Sequence, residues 1–255
     1  MRLIRLRSVD STNRFAKDYA SKTDLKEFAV LAKHQTAGRG RVGRSFESPA
    51  GSGMYLSVCF KRAFSPEDVG LITAFTAVAV RESIKELCGL ECGIKWVNDL
   101  YYSGKKLCGI LAEGSIDPES RMLQNVVIGI GVNICQPKEG FTAAGKGIAG
   151  AVGDFVKLPP HFAYRLPLFI IKKLSKLEDA LQSKAFLSEY RAHSTLIGGR
   201  VTVYPTTLEQ GNGYGAVVLD IDEKARLVVK TDDGEVKALY SGEVSVRSTG
   251  DASHQ

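Results

Sequence analysis

At Gly198-Gly199 the chain changes its pattern, and that change decides what it can fold into. Before it, long stretches of helical spacing alternate with apolar runs. After it come only short runs, "RVTVYP", "YGAVVLDI", "ARLVVKT", "EVKALY" and "EVSVR", joined by "DEK" and "DDG" turn signals, with no helical period left. Short strands at regular spacing over about 50 residues specify a small antiparallel barrel. The expected organisation is therefore α+β: a larger domain over residues 1–196, an all-β domain over 197–250, and a disordered tail at 251–255. Charge divides at the same place. Residues 1–198 carry 28 Lys/Arg against 19 Asp/Glu, and residues 199–255 carry 6 against 9, so the net charge of +6 belongs to the first part. A basic surplus there suits nucleotides, nucleic acid or an acidic protein partner.

Composition excludes other classes. With 255 residues, 44% hydrophobic and 24% charged, the chain can bury a substantial core. No run approaches the ~20 apolar residues of a membrane helix, and arginines interrupt "MRLIRLRSVDSTN" too early for a signal peptide, so a cytoplasmic location is expected. The five cysteines form no C-x-x-C pair and lie mostly in apolar runs, which favours reduced, buried thiols, and the four histidines form no zinc signature.

Along the first part, "DSTNRFAKDYAS" starts a helix near Ser11, because N-cap residues precede Phe15, Ala16 and Tyr19 at helical spacing. "FAVLAKHQ" reads as a buried strand ending near Gln35, and "GMYLSVCFK" as a strand with alternation. Ser65-Pro66-Glu67-Asp68 caps a long helix that runs to Gly89. "CGIKWVNDLYYSGKKLCGILAEGS" reads as strand, turn and strand reversing at Ser103-Gly104, and "QNVVIGIGVNI" as a glycine-punctuated buried strand. After Pro159-Pro160 comes a helical region interrupted or kinked at Pro167, and "AFLSEYRAHS" adds a short helix.

Between the first two of those strands lies "TAGRGRVGRSFESPAGSG", Thr36 to Gly53. Gly38, Gly40 and Gly43 spell G-x-G-x-x-G, and Gly38 to Ser45 is one residue short of G-x-x-x-x-G-K-[ST]. Both motifs work by feeding a glycine turn into a helix N-terminus that meets the phosphate. Pro49, Gly51 and Gly53 forbid that helix here. The chemistry remains: Arg39, Arg41 and Arg44 stand with no acid among them on a backbone that glycine allows close to a ligand. The loop therefore suits a multiply charged phosphate, or else a solvated or nucleic-acid-binding basic patch, and it contains no apolar anchor, so it is expected to be a mobile flap.

Other polar clusters end the glycine-bearing strands. Lys95-Trp96-Val97-Asn98-Asp99 closes an apolar strand with an amide and a carboxylate, which is also good turn chemistry. Lys106, in "GKKLCGIL", enters a strand that is buried on one face, although a hairpin lysine is commonly a solvated edge charge. Gly129, Gly131 and Asn133 mark close approach of a ligand or of another element, a packed helix included.

Taken in order, "DSTN", "QTAGRGRVGRSFESP", "KWVNDL", "GKKLCGIL", "GIGVNI" and a terminal barrel with "SGEVSVR" closely resemble the biotin protein ligases (biotin–[acetyl-CoA-carboxylase] ligases) over nearly the whole chain. The resemblance implies a mixed β-sheet flanked by helices, of the class II aminoacyl-tRNA synthetase/biotin ligase type, with a C-terminal Src-homology-3-like barrel. It implies formation of biotinyl-5′-AMP from biotin and MgATP, then transfer of biotin to a lysine of a biotin carboxyl carrier protein. By resemblance, Ser11, Thr12, Asn13, Gln35, Arg39, Gly40, Arg41, Lys106 and Gly109 form the biotin side of the site. Arg39, Arg41, Arg44, Phe46, Lys95, Asn98, Asn133 and, from the barrel, Arg247 form the ATP side. Lys106, Arg41 and Asp99 are the catalytic set, with Asp99 also facing Mg2+, directly or through water. Two departures stand out: Val97 and Phe46 occupy positions where the family usually has proline and tryptophan. The chain begins about ten residues before "STN", so no helix-turn-helix domain and no DNA-binding repressor role are expected. A homodimer is suggested by the resemblance alone. The rival readings are a lipoate or octanoate ligase or transferase of the same fold, whose arginine and glycine motif is not found here, and a basic nucleic-acid-binding protein, which lacks interleaved aromatics.

Overall fold

A computed structural model of the chain describes residues 1–41, 43–142, 145–205, 213–240 and 244–248. The elements in order are β1 (Arg2–Leu6), α1 (Thr12–Ala20), β2 (Glu27–Ala32), β3 (Gly53–Phe60), α2 (Asp68–Cys88), β4 (Gly93–Lys95), β5 (Asp99–Tyr102), β6 (Lys105–Ile116), β7 (Leu123–Asn133), α3 (Phe162–Leu174), α4 (Leu177–Ser183) and α5 (Phe186–Ala192). Then follow β8 (Arg200–Pro205), β9 (Tyr214–Ile221), β10 (Leu227–Thr231), β11 (Val236–Leu239) and β12 (Val244–Ser248).

The first seven strands form one mixed sheet in the order β1-β2-β3-β7-β6-β5-β4. Only β1 and β2 run parallel, because α1 is the crossover between them. The β5–β6 hairpin turns through Ser103 (φ 46°) and Gly104 (φ 75°), the two left-handed residues that a two-residue hairpin of this twist requires. One face of the sheet carries Leu56, Val58, Ile110, Ile128, Ile130 and Val132 against α2, which α3, α4 and α5 cover in turn. The other face carries Phe28, Val30, Cys59 and Val127 beneath Ala16 and Ala20 of α1.

Two expectations are corrected here. Strand β3 shows no alternation in burial: every residue after Gly53 is buried, since helices lie on both faces. The helix containing Pro167 is not interrupted there; α3 runs through it to Leu174, and the break comes at Ser175-Lys176.

The last five strands form a separate antiparallel sheet, β11-β10-β9-β8-β12, with Val201, Val203, Ala216, Val218, Leu227 and Val229 buried in it. It meets the first part at the turn after β4. The Trp96 indole Nε1–H donates to Ala225 O at 3.0 Å, and the Tyr190 hydroxyl donates to Val97 O at 2.9 Å from α5. Arg191, donating to Ile221 O and Glu223, and Lys224, 2.8 Å from Glu67, add surface ties. The Trp96-Val97 turn is therefore held from two sides without the proline that the resemblance leads one to expect. The expected tail, 251–255, lies outside the described residues.

Candidate functional site

Because side chains alternate across a strand, the register fixes which residues share the α1 face of the sheet. Gly131 of β7 stands opposite Gly109 of β6 and Tyr55 of β3, Gly109 is also opposite Asp99 of β5, and Asp99 opposite Lys95 of β4. Two residues along β7, Gly129 stands opposite Ser57 and Leu111. Glycines thus make a floor free of side chains between the N-terminus of α1 and the β4–β5 hairpin. The segment from Gly38 to Ser48 crosses above it.

At the α1 end the floor is bordered by a buried polar chain. Gln35 Oε1 accepts from Thr12 N at 2.8 Å and from the Thr12 hydroxyl at 3.0 Å, while Gln35 Nε2 donates to Ser48 Oγ at 2.8 Å. Ser57 Oγ lies 2.8 Å from Thr12 Oγ1 and 2.6 Å from Asn13 Oδ1. Asn13 Nδ2 donates to Glu113 Oε2 at 2.8 Å and to Leu111 O at 3.2 Å. Ser11 is the N-cap of α1 and is itself buried. Gly129 is explained by this packing: a Cβ there would sit 2.3 Å from Asn13 Oδ1.

At the other end stand the charges. Lys106 Nζ pairs with Asp99 Oδ2 at 2.7 Å, and Arg41 Nη1 donates to Asn98 Oδ1 at 3.2 Å. Asn98 is pinned in turn, its Nδ2 donating to Ile110 O at 2.9 Å. Burial pulls the Arg41 guanidinium below its ordinary range, which Asp99 opposes and Arg44 reinforces. A desolvated cation of this kind gains most from an anionic ligand. Asp99 Oδ1 is buried and, among the described residues, has no hydrogen-bond partner.

Backbone hydrogen bonds join the described residues of the arginine loop. Gly40 N donates to Arg44 O at 2.7 Å, Arg44 N to Arg41 O at 3.1 Å and Phe46 N to Gly38 O at 2.9 Å, so it forms a tight reversal with Gly43 at φ 71°. It also has an apolar anchor, contrary to expectation: the Phe46 ring lies on the glycine floor, where a Cβ on Gly131 would come within 2.4 Å of it. Glu47 ties the loop to the segment after β7, accepting from Thr142 N at 3.0 Å and contacting Thr142 Oγ1.

The structure brings Ser11, Thr12, Asn13 and Gln35 together at one end and Arg41, Asn98, Asp99, Lys106, Phe46 and Gly109 at the other. Arg39 bridges to the first group through Glu113 at 3.4 Å. Gly40 serves the loop's reversal, and Arg44 is exposed at its tip. Lys95 borders the charged end over the Tyr101 ring (5.1 Å), beside an open cavity of about 300 Å³. Asn133 uses its Nδ2 to hold Gly150 O at 3.0 Å, closing the 145–150 segment onto β6. Arg247 falls in β12 opposite Thr202, and its side chain lies outside the described residues. Ser48, Ser57, Glu113 and Tyr190 join the site without having been singled out in the sequence, because each is an ordinary strand, loop or helix residue until the register is known.

The decisive comparison is with family models: residues 6–133, which hold both ends of this floor, match the model of the biotin/lipoate A/B protein ligase family. The chain belongs to that family. Residues 205–247 match a second model, the biotin protein ligase C terminal domain, so the all-β unit belongs to the biotin branch. Among curated relatives, a biotin–[acetyl-CoA-carboxylase] ligase of Mycobacterium tuberculosis is 31% identical over 88% of this chain and 81% of its own length. A bifunctional ligase/repressor BirA of Bacillus subtilis is 30% identical over 93% of this chain and 72% of its own. A biotin protein ligase from Aquifex aeolicus, solved in complex with biotin and ATP, superposes with a TM-score of 0.78 at 26% identity, covering 97% of this chain and 99% of that one. Among the described residues no helix is long and apolar enough to cross a membrane.

Proposed function

We propose that this chain is an ATP-dependent biotin protein ligase that makes biotinyl-5′-AMP and then biotinylates a lysine of a biotin carboxyl carrier protein. The observation that carries the reading is the floor of Gly109 and Gly131 between a neutral polar slot and a cationic cluster. A ligand with a neutral ring at one end and a carboxylate at the other fits that division. The slot at Ser11, Thr12, Asn13 and Gln35 offers placed donors and acceptors for a ureido ring. Lys106, Arg41 and Arg39 face the carboxylate and α-phosphate, with Arg44, Phe46, Lys95, Asn98, Asn133 and Arg247 on the nucleotide side.

In the first step a biotin carboxylate oxygen forms a bond to the α-phosphorus as the bond to the β-phosphate oxygen breaks and pyrophosphate leaves. Two anions must meet, so the enzyme's task is electrostatic and positional. Lys106, drawn to the site by Asp99, and Arg41, held by Asn98, supply positive charge where it is needed. In the second step a lysine amine attacks the acyl carbon, AMP departs, and the amine loses a proton, for which Asp99 is the nearest carboxylate of the cluster. The residues fit a magnesium ion carried chiefly by the nucleotide, because Asp99 Oδ1 is a hard oxygen donor left unengaged by the described residues. Magnesium bound there would neutralise phosphate charge. We assign catalysis to residues 1–196 and a supporting role to 197–250, place the enzyme in the cytoplasm with its ATP, and expect a homodimer, which sedimentation checks.

The deciding experiment incubates the chain with ATP, a carrier domain and either biotin, lipoate or octanoate, and reads the carrier's mass. Biotin addition that depends on ATP is expected; addition of lipoate or octanoate instead would transfer the assignment to the family's other branch.

A further inference from the structure

Glu113 belongs to neither end of the reacting substrate pair, yet three donors converge on it, two from α1 and one from the arginine loop. Its side chain is 17% exposed; Oε1 lies 2.9 Å from Lys17 Nζ and 3.4 Å from Arg39 Nη1, and Oε2 accepts from Asn13 Nδ2 at 2.8 Å. Burial pushes this carboxyl up, but the hydrogen bonds from Lys17 and Asn13 and the nearby Arg39 charge outweigh it and hold the group below its ordinary value.

The consequence is a hydrogen-bond direction. With Glu113 Oε2 and Leu111 O taking both amide hydrogens of Asn13, only its Oδ1 faces Ser57. An amide oxygen cannot donate, so the single hydroxyl hydrogen of Ser57 is committed to Asn13. The single hydroxyl hydrogen of Thr12 is committed in the same way, to Gln35 Oε1 at 3.0 Å, which also accepts from the Thr12 backbone N–H, so Thr12 meets Ser57 Oγ, 2.8 Å away, with a lone pair. Both hydroxyls thus turn their hydrogens away and present only lone pairs to the slot, the polarity that accepts N–H groups.

Resting on the biotin-ligase reading, we infer that Glu113 is a positioning residue for the biotin slot: it fixes the Asn13 amide, through it sets the hydroxyl direction of Ser57, and holds Arg39 beside them. A glutamine at 113 cannot do the same. Its nitrogen faces either Asn13, which flips the amide and reverses the Ser57 hydroxyl, or Lys17 and Arg39, which drives the arginine out.

The test measures biotin binding to the full chain by calorimetry without ATP, and KM and kcat in biotin-dependent pyrophosphate exchange. Glu113→Gln should weaken biotin binding and raise the biotin KM about tenfold or more, leaving the ATP KM unchanged and kcat at saturating biotin within about twofold. Ser57→Ala should act in the same direction, and the double variant should bind no more weakly than the worse single. Lys17→Met, which removes only the outer ion pair, should bind like wild type. The inference is overturned by unchanged biotin affinity in Glu113→Gln, by equal effects on kcat and on the ATP KM, or by additive losses. If Glu113→Gln does not fold, Ser57→Ala decides alone, unchanged affinity overturning the inference. Failure of the wild type itself to bind biotin would overturn the functional reading beneath it.

Discussion

Alanine at Gly129 and alanine at Gly131 are the same change on the same strand and face, and the structure assigns them different consequences. At Gly129 the new Cβ would lie 2.3 Å from Asn13 Oδ1 and 2.8 Å from Cγ, where van der Waals contact begins near 3.4 Å. Asn13 is only 4% exposed and is held by Ser57, Leu111 and Glu113, so moving it by about an ångström breaks those bonds. Overpacking costs about 1–3 kcal/mol and a disrupted bond to a charged group about 1.5–3 kcal/mol, giving a loss of roughly 2.5–6 kcal/mol together with loss of the slot. At Gly131 the clash is with the Phe46 ring, 2.4–2.9 Å away. That ring is half-buried on a surface loop and can swing off the floor, so the stability cost should stay near 1 kcal/mol while the cover of the nucleotide side is lost. Denaturant midpoints rank the two for stability; calorimetry with biotin and pyrophosphate exchange rank them for function. Gly129→Ala should lose both stability and biotin binding. Gly131→Ala should keep most of its stability and much of its biotin affinity and fail mainly in adenylation. Equal stability costs, or a neutral Gly129→Ala, would refute the packing argument.

Three further outcomes follow from the charged end and from the core. Lys106→Ala should lower pyrophosphate exchange about 10²–10³-fold while the chain stays folded, because it removes the cation paired with Asp99; near-normal exchange would remove Lys106 from the catalytic set. Arg41→Gly should loosen the hold on the mixed anhydride, so that biotinyl-5′-AMP escapes and labels bystander lysines, which mass mapping of an added non-carrier protein detects; labelling confined to the carrier argues against the clamp. Burial pushes the Cys59 and Cys92 thiols up to about 12 and Cys108 well above its ordinary value. A folded-state value raised above the unfolded one stabilises fully below the ordinary thiol range near 9 and is lost as pH rises toward 12. Unfolding free energies from denaturant titrations should therefore fall above pH ~9 by up to about 1.4 kcal/mol per pH unit for each thiol, and less steeply in Cys59→Val; identical slopes in the two proteins would count against the assignment. The exposed Cys135 should be alkylated first.

What could be read in the sequence was what local chemistry determines. Ser11 caps α1 because a hydroxyl before a helical run satisfies an end amide, and Ser103-Gly104 reverses a hairpin because both adopt positive φ. The failed helix after the arginine loop was equally local, since Pro49, Gly51 and Gly53 stand next to it. What stayed hidden depends on register. Ser57 and Asn13 are 44 positions apart, and Asn13 and Glu113 are 100 apart, so a serine inside the buried β3 and a glutamate in β6 carry no mark of a shared network. Phe46 shows the same limit from the other side. The loop's composition by itself supplies no apolar anchor; the anchor exists only because Gly109 and Gly131 face each other across β6 and β7.

The parity of β7 is nevertheless legible in the residue spacing. Gly129, Gly131 and Asn133 are spaced by two, so they must share a face, and a face lined with glycine must be approached by something. The two candidates are a ligand and a packed element, and each glycine answers separately. Gly129 admits Asn13 of the helix, while Gly131 admits Phe46 of the loop that crosses the nucleotide side. A slip of one residue in the β3–β7 pairing would put Ser57 opposite Ile128 or Ile130 and remove the acceptor end of the slot, while Lys106 and Asp99 on β6 and β5 would be untouched. The polar slot is thus the part of the site most dependent on register, and the charged pair the least. This is why lysine and aspartate could be picked out from short strings, whereas the residues that orient the slot could not.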